Sequence, residues 1–173
     1  MKKIVAIMTA CVMALMCAGC GAAKTEATEE TVALPNPMVE VTADELMDKL
    51  GLSFNVPDGA EDVKYFVINN EMAEMRFTYN TVNCCARIKP TVEFEDISGM
   101  YYKWNVEETG KVSYNEAQIK RYNGNDITVD ACLWFDAAPG LMYSVTADGK
   151  DLDGFDIQAV AEQTYVQTQG DVG

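Results

Sequence analysis

The fold class is decided by the stretch NGNDITVDACLWFDAAPGLMYSVTA, residues 123–147. It opens at 123–126 with Asn-Gly and Asn-Asp pairs, which favour a tight reversal of the chain. Apolar residues then recur at every second position, and the turn signal Pro139-Gly140 divides them into two runs. Such alternation indicates extended strands with one buried face, so the stretch predicts an antiparallel hairpin. The residues assigned to the buried face are Ile127, Val129, Ala131, Leu133, Phe135, Leu141, Tyr143, Val145 and Ala147.

The chain before this stretch shows the same period-two pattern several times. Each run is bounded by turn-forming residues or by proline, as expected for short antiparallel strands. The predicted strands lie within residues 63–69, 72–79, 82–89, 102–106 and 117–119, with a bend at Thr109-Gly110.

A helix is predicted at each end of these strands. Thr42 and Glu45 have the spacing of a capping box, and Gly51 is placed to end that helix. Residues 155–167 carry apolar side chains at helical spacing after Asp153, which we expect to cap the helix. The sequence therefore predicts an α+β fold: an antiparallel β-sheet of about six to eight strands, covered on one face by an N-terminal and a C-terminal helix.

The first twenty residues have the pattern of an export signal. Lys2 and Lys3 precede a short apolar run that ends in small residues before Cys20. The segment Cys17-Ala18-Gly19-Cys20 resembles the bacterial lipobox, although Cys17 stands where an aliphatic residue is usual. The resemblance implies that residues 1–19 are a lipoprotein signal peptide and that the thiol of Cys20 is the lipid attachment site. The alternative is an uncleaved membrane helix.

Composition divides the remainder of the chain into three parts. Residues 20–37 comprise the lipidated cysteine and an acidic segment without aromatic residues, which predicts a flexible tether. Residues 38–167 form a single α+β domain of common size, and residues 168–173 are a polar, frayed tail. We expect the domain to be held at the cell membrane, on its extracytoplasmic face.

Charge and composition exclude several classes of function. The formal net charge of −14 argues against nucleic acid as a partner, because such binders need a dense basic surface. The chain has no histidine, so a His-based zinc site and a Ser-His-Asp triad are excluded. No cysteine spacing typical of a metal site and no phosphate-binding loop is present. We therefore expect no catalytic residues, no metal and no cofactor.

Three cysteines, Cys84, Cys85 and Cys132, remain within the domain. Strand parity puts Cys84 on the core face and both Cys85 and Cys132 on the opposite face. If their strands are neighbours, Cys85 and Cys132 form a disulfide, which an extracytoplasmic location permits. The alternative is that all three thiols stay reduced.

The polar face of the sheet is the predicted binding face. Arg76, Arg87, Lys89 and Trp134 take outward parity, and cationic donors beside an aromatic ring suit an anionic or saccharide ligand. The competing interpretation is that the arginines only form cross-strand ion pairs with Glu74 and Asp130.

Two further segments carry a family resemblance. Residues 94–102, FEDISGMYY, and 133–144, LWFDAAPGLMYS, are similar to segments of uncharacterised surface lipoproteins of Gram-positive bacteria, which carry a small secreted domain of unknown function. The resemblance covers residues 38–167 and implies a surface lipoprotein without supplying catalytic or binding residues.

The functional prediction is accordingly a lipid-anchored, non-enzymatic binding or interaction module. Its partners would be the membrane, through the N-terminal lipid, and an unknown protein, peptide or glycan. The alternatives are an accessory subunit of a membrane complex and a carboxylate-dependent hydrolase.

Overall fold

The structure, a computed structural model, describes residues 38–167. The predicted signal peptide, Cys20, the predicted tether and the predicted tail lie outside the described residues. The elements are β1 Met38–Val41, α1 Ala43–Leu50, β2 Glu61–Ile68, β3 Met72–Tyr79, β4 Val82–Pro90, β5 Val106–Val112, β6 Asn115–Asn123, β7 Thr128–Asp136, β8 Leu141–Gly149 and α2 Ile157–Thr164.

All eight of these strands belong to one antiparallel sheet, in the order β1-β2-β3-β4-β8-β7-β6-β5. The sheet thus consists of two four-stranded meanders joined side by side at β4 and β8. An α+β fold with an eight-stranded antiparallel sheet and two short helices is confirmed.

The helix ends follow local hydrogen bonding. Thr42 and Glu45 form the predicted capping box, and Gly51 ends α1 in the left-handed region at φ 65°. The second helix is capped by Asp156, whose side chain accepts a hydrogen bond from the Ala159 amide, so the prediction of Asp153 as the cap is wrong.

One predicted bend lies inside a strand. Thr109 and Gly110 are in the middle of β5, and the chain reverses later, at Ser113, whose φ is 54°. Gly110 serves close packing instead: a β-carbon there would collide with Ile119 and lie 2.6 Å from the side-chain oxygen of Gln158 on α2.

The two faces of the sheet are covered differently. Both helices pack into one large apolar cluster on the side that we call the helix face. The chain between β4 and β5, residues 91–105, must pass from the middle of the sheet to its edge, and it does so across the opposite side. We call this segment the strap and the side that it crosses the strap face. The strap buries a second cluster there, made of Ile97, Ala131, Leu133 and Met142.

Strand β7 is consequently buried on both faces. Ala131 and Leu133 belong to the cluster beneath the strap, whereas Cys132 and Trp134 belong to the helix-face core. The prediction that Trp134 and Cys132 point away from the core is therefore wrong.

Candidate functional site

The structure brings three of the four predicted binding-face residues together. Arg76 on β3 and Arg87 and Lys89 on β4 all lie on the strap face, in agreement with their strand parity. Trp134 is 1% exposed on the other face and stacks on Tyr143, with ring centroids 4.9 Å apart and an interplanar angle of 5°. Its prediction as a binding residue is wrong, because the strap covers the face of β7 that carries Ala131 and Leu133, and Trp134 lies in the core on the other face.

A fully buried carboxylate organises the two arginines. Glu74 is 0% exposed, and its Oε1 accepts from Arg76 Nε at 2.6 Å while its Oε2 accepts from Arg87 Nε at 2.7 Å. Strand register explains the geometry, since Arg76 is two residues along β3 and Arg87 is directly opposite Glu74 on β4. The competing interpretation of ion pairs is confirmed for Glu74 and is wrong for Asp130, which pairs with Arg121 instead. The trio carries a net positive charge.

The outer ends of the two guanidinium groups are only partly occupied. Arg76 lies over the ring of Phe66, 4.8 Å from its centroid, and its Nη2 contacts the sulfur of Met38. Arg87 donates from Nη1 to the carbonyl oxygen of Ile97 in the strap at 3.0 Å. Arg87 also has a side-chain hydrogen bond with the Cys85 thiol. The Arg76 side chain is 48% exposed and that of Arg87 20%, so part of each is accessible to a ligand.

A glycine lets the strap lie against Arg87. Gly99 has a φ of 71°, and a β-carbon at this position would collide with the Arg87 guanidinium. The Arg87 guanidinium is therefore held between the strap backbone at Gly99 and the carboxylate of Glu74.

Cys85 lies beside the two arginines, in register with Arg76. Burial, and next the carboxylate of Glu74, raise the pKa of its thiol from 9.0 to about 12. The thiol therefore stays protonated at neutral pH and contributes a small, neutral contact surface, since a thiolate is needed for nucleophilic chemistry.

These groups border a cavity of about 380 Å³ on the strap face. Arg76, Cys85 and Arg87 line one part of it, and Met100 of the strap contributes to its wall. Its other lining residues include Asp62, Thr78, Asn83 and Asp148. This volume lies within the usual range for sites that bind small molecules.

Lys89 is not among the residues that line this cavity, and it has an ion-pair partner of its own. Its Nζ donates to both carboxylate oxygens of Glu95, at 2.8 and 3.1 Å, and this hydrogen bonding raises the pKa of Lys89. Lys89 lines a smaller depression of about 180 Å³, which it shares with Arg87 and the strap. Its positive charge is therefore balanced locally.

The predicted disulfide is not formed. Cys85 is on the strap face of β4, Cys132 is on the helix face of β7, and β8 lies between their strands. All three cysteines of the described region are free thiols. Pairing Cys85 with Cys132 is therefore wrong, whereas Cys84 is buried in the helix-face core as predicted.

The other buried carboxylates accept hydrogen bonds from donors in other parts of the fold. Asp130, 2% exposed, accepts two hydrogen bonds of 2.6 Å from Arg121, beside a cavity of about 540 Å³ on the helix face. Asp136, 0% exposed, accepts from the hydroxyl group of Tyr165 at 2.5 Å. The pairing of Arg121 with Asp130 was not predicted from the sequence. The signal was present, because the turn at 123–126 places these two residues directly opposite each other on neighbouring strands.

Among the described residues, no three Cys, Asp or Glu side chains meet in a way that could hold a metal ion. No helix of the described region has the length and apolar character needed to span a membrane. Comparison with protein-family models, with curated proteins and with solved structures finds no match to this chain.

Proposed function

We propose that this protein is a lipid-anchored lipoprotein on the extracytoplasmic face of the cell membrane, and that its domain is a non-enzymatic binding module. In this proposal the signal peptide ends before Cys20, the lipid on Cys20 holds the chain at the membrane, and residues 21–37 space the domain from it. The two helices cover one face of the sheet, and a ligand binds on the strap face.

The observation that carries the binding role is the trio of Arg76, Glu74 and Arg87. Burying a carboxylate costs several kcal/mol unless it is paired and hydrogen-bonded, and here the pairing is complete. The result is two guanidinium groups held by one carboxylate, each partly exposed, at the border of one cavity. Fixed guanidinium donors are well suited to a carboxylate or another anion.

The buried carboxylates support binding over hydrolysis. A carboxylate-dependent hydrolase uses two acids that face the same cleft. Glu74, Asp130 and Asp136 each accept from a fixed donor in a separate part of the fold, so they act as positioning groups.

The accessory-subunit alternative is favoured by one feature of the strap. Val92 and Tyr101 are 94% and 95% exposed, and Phe94 is also exposed. Apolar side chains gathered on one surface segment are typical of protein contacts.

Labelling cells with a radioactive fatty acid tests the anchor. The full chain should carry label, Cys20→Ser should carry none, and the control Cys17→Leu should remain labelled because the acylated thiol is intact. Label on the Cys20→Ser chain would refute anchoring at Cys20.

Saturation-transfer NMR tests the binding site, with N-acetylalanine as a simple carboxylate probe and the full-length chain in detergent. The probe should bind the parent chain, and Arg76→Gln should weaken binding roughly tenfold, the value of one charge-assisted hydrogen bond. The control Lys103→Gln removes an exposed positive charge from the strap and should leave binding unchanged. Equal binding by all three chains would show that the strap-face cavity is not the site.

A further inference from the structure

The sheet ends at β5, and within residues 38–167 no strand pairs with its outer edge. The carbonyl oxygen of Arg121 on β6 points at β5, because it accepts from the amide of Asn105 at 2.8 Å, and Arg121 is in register with Val106. Backbone groups alternate in direction along a strand, so every second residue of β5, counted from Val106, is bonded to β6, and the others point outward. The outward-pointing residues are Glu107, Thr109 and Lys111.

This outer edge is accessible. The first four residues of β5 and Lys111 are exposed, and the turn and loop hydrogen bonds of the described region do not include the outward backbone groups. The edge strand at the other end of the sheet, β1, has only four residues, whereas β5 has seven and contains no proline. Edge strands pair with other strands unless shortness, charge, proline or a covering segment prevents it. The charges of β5 therefore decide which strand it accepts.

The charges of β5 fit a second copy of β5. If two copies pair antiparallel about Thr109, Glu107 of each copy lies opposite Lys111 of the other. Each pair of outward residues then exchanges two backbone hydrogen bonds, so the three pairs supply six. Opposite charges that face each other across two strands stabilise the pairing.

Other antiparallel registers fit less well. Outward groups face outward groups when the centre of the pairing moves by whole residues along β5. A centre at Glu107 or Lys111 places like charges opposite each other, and a centre at Glu108 places that carboxylate opposite its own copy. A centre at Gly110 leaves Glu107 beyond the end of the partner strand. The register about Thr109 pairs both charges and overlaps all seven residues of β5.

The order of charges within the chain extends this pattern. Glu107 is in register with Lys120 on β6, and Lys111 is in register with Glu116. Across the joined edges, one row of side chains would run from Lys120 and Glu107 of one copy to Lys111 and Glu116 of the other, with alternating sign at every step. Within residues 38–167, the ion pairs do not include Glu107 or Lys111, so both are available to the second copy.

We infer that two copies of this chain associate through β5, which pairs antiparallel with itself about a two-fold axis at Thr109 and joins the two sheets into one. Such a pairing uses the same edge on both copies and closes after two. The inference goes beyond the proposed binding function and depends neither on the strap-face cavity nor on the lipid.

Disulfide trapping in the full-length chain in detergent tests the position of the axis. The Cα atoms of a hydrogen-bonded antiparallel pair are about 5.5 Å apart, which a disulfide can span. With a copper–phenanthroline oxidant, Thr109→Cys should form at least about tenfold more covalent dimer than Lys150→Cys, whose exposed position follows β8. The parent chain measures the background from its own cysteines.

A backbone variant tests the hydrogen bonds across the edge. Thr109→Pro removes an outward amide that β6 does not use, so the chain should fold while its dimerisation weakens at least about tenfold. The control Thr109→Ser keeps that amide and should dimerise like the parent chain. Light scattering in detergent measures the mass of the protein at increasing concentration, and thermal unfolding verifies that each variant folds.

Charge exchange tests the register. Glu107→Lys and Lys111→Glu each create two pairs of like charges in a two-fold dimer and should each weaken dimerisation roughly tenfold. The double variant Glu107→Lys/Lys111→Glu restores opposite charges and should dimerise like the parent chain. The control Asp126→Lys makes the same change of charge as Glu107→Lys in an exposed turn and should not weaken dimerisation.

Three results would overturn the inference. The first is a parent chain that stays monomeric at every concentration, without excess trapping at position 109. The second is equal dimerisation of Thr109→Pro and the parent chain, which would place the interface elsewhere. The third is a double variant that dimerises no better than the single variants, which would exclude the antiparallel register. None of these variants alters Cys20, Arg76 or Arg87, so the proposed function would stand in each case.

Discussion

Replacing Glu74 by glutamine should lower the free energy of unfolding by about 2 to 4 kcal/mol. The carboxylate is fully buried and accepts two hydrogen bonds, of 2.6 and 2.7 Å, from charged donors. Each such bond contributes about 1.5 to 3 kcal/mol, and an amide oxygen keeps part of one of them. The Arg76 side chain is 48% exposed and the Arg87 side chain 20%, so water compensates part of the loss and keeps the total below that of a fully buried pair.

Urea denaturation followed by circular dichroism measures this change, and Glu95→Gln is its control. The control breaks the exposed ion pair with Lys89 and should cost less than about 1 kcal/mol. A double-mutant cycle of Glu74→Gln with Arg87→Gln should show a coupling energy of about 1 kcal/mol or more, because the two groups are in direct contact. A loss for Glu74→Gln no larger than that of the control would refute the claim that the carboxylate holds the two arginines in place.

Three further predictions follow from the packing on both faces of the sheet. Gly99→Ala should destabilise the chain by about 2 kcal/mol or more in urea denaturation, because its β-carbon would collide with Arg87, whereas Gly51→Ala, with a similar φ and open space, should cost about 1 kcal/mol. Leu133→Ala should cost about 2 to 5 kcal/mol, since Leu133 is 0% exposed beneath the strap; a smaller loss in the same measurement would show that the strap is not packed there. Stability should fall as pH rises above about 9, by up to about 1.4 kcal/mol per pH unit for each thiol, because the folded chain keeps the protons of Cys84, Cys85 and Cys132 up to about pH 12 while the unfolded chain releases them near 9; unfolding curves at pH 8 and pH 10 would reveal equal stability if these thiols were exposed.

The sequence predicts an element well where the interactions that form it join residues close together in the chain. The capping box at Thr42 and Glu45 and the turns before β7 and β8 depend on residues close in sequence, and the structure has all of them. Strand parity likewise predicts correctly that Arg76 and Arg87 share one face, because β3 and β4 alternate between apolar and charged residues.

Strand parity misassigns β7, because parity separates core from solvent only where one face of a strand is buried. Residues 131–135, ACLWF, are apolar at five consecutive positions, which is the pattern of a strand covered on both sides. That pattern predicts a covering segment on the second face of β7. With both faces covered, neither Trp134 nor Cys132 is expected to be exposed to solvent. The identity of that segment could not be predicted locally, because the strap contacts β7 only through the strand order of the whole sheet.

The strap also explains why the charged site lies where it does. Leaving β4, it crosses β8, β7 and β6 and so covers one half of its face. Arg87 is bonded to the strap at Ile97, and Arg76 on β3 lies beyond the strap with its side chain 48% exposed. An apolar trio of similar volume would join β3 to β4 about as well, since buried ion pairs seldom add net stability over good hydrophobic packing. What the charged trio adds is a pair of guanidinium donors in fixed positions beside an open cavity, and that is a requirement of ligand binding rather than of folding.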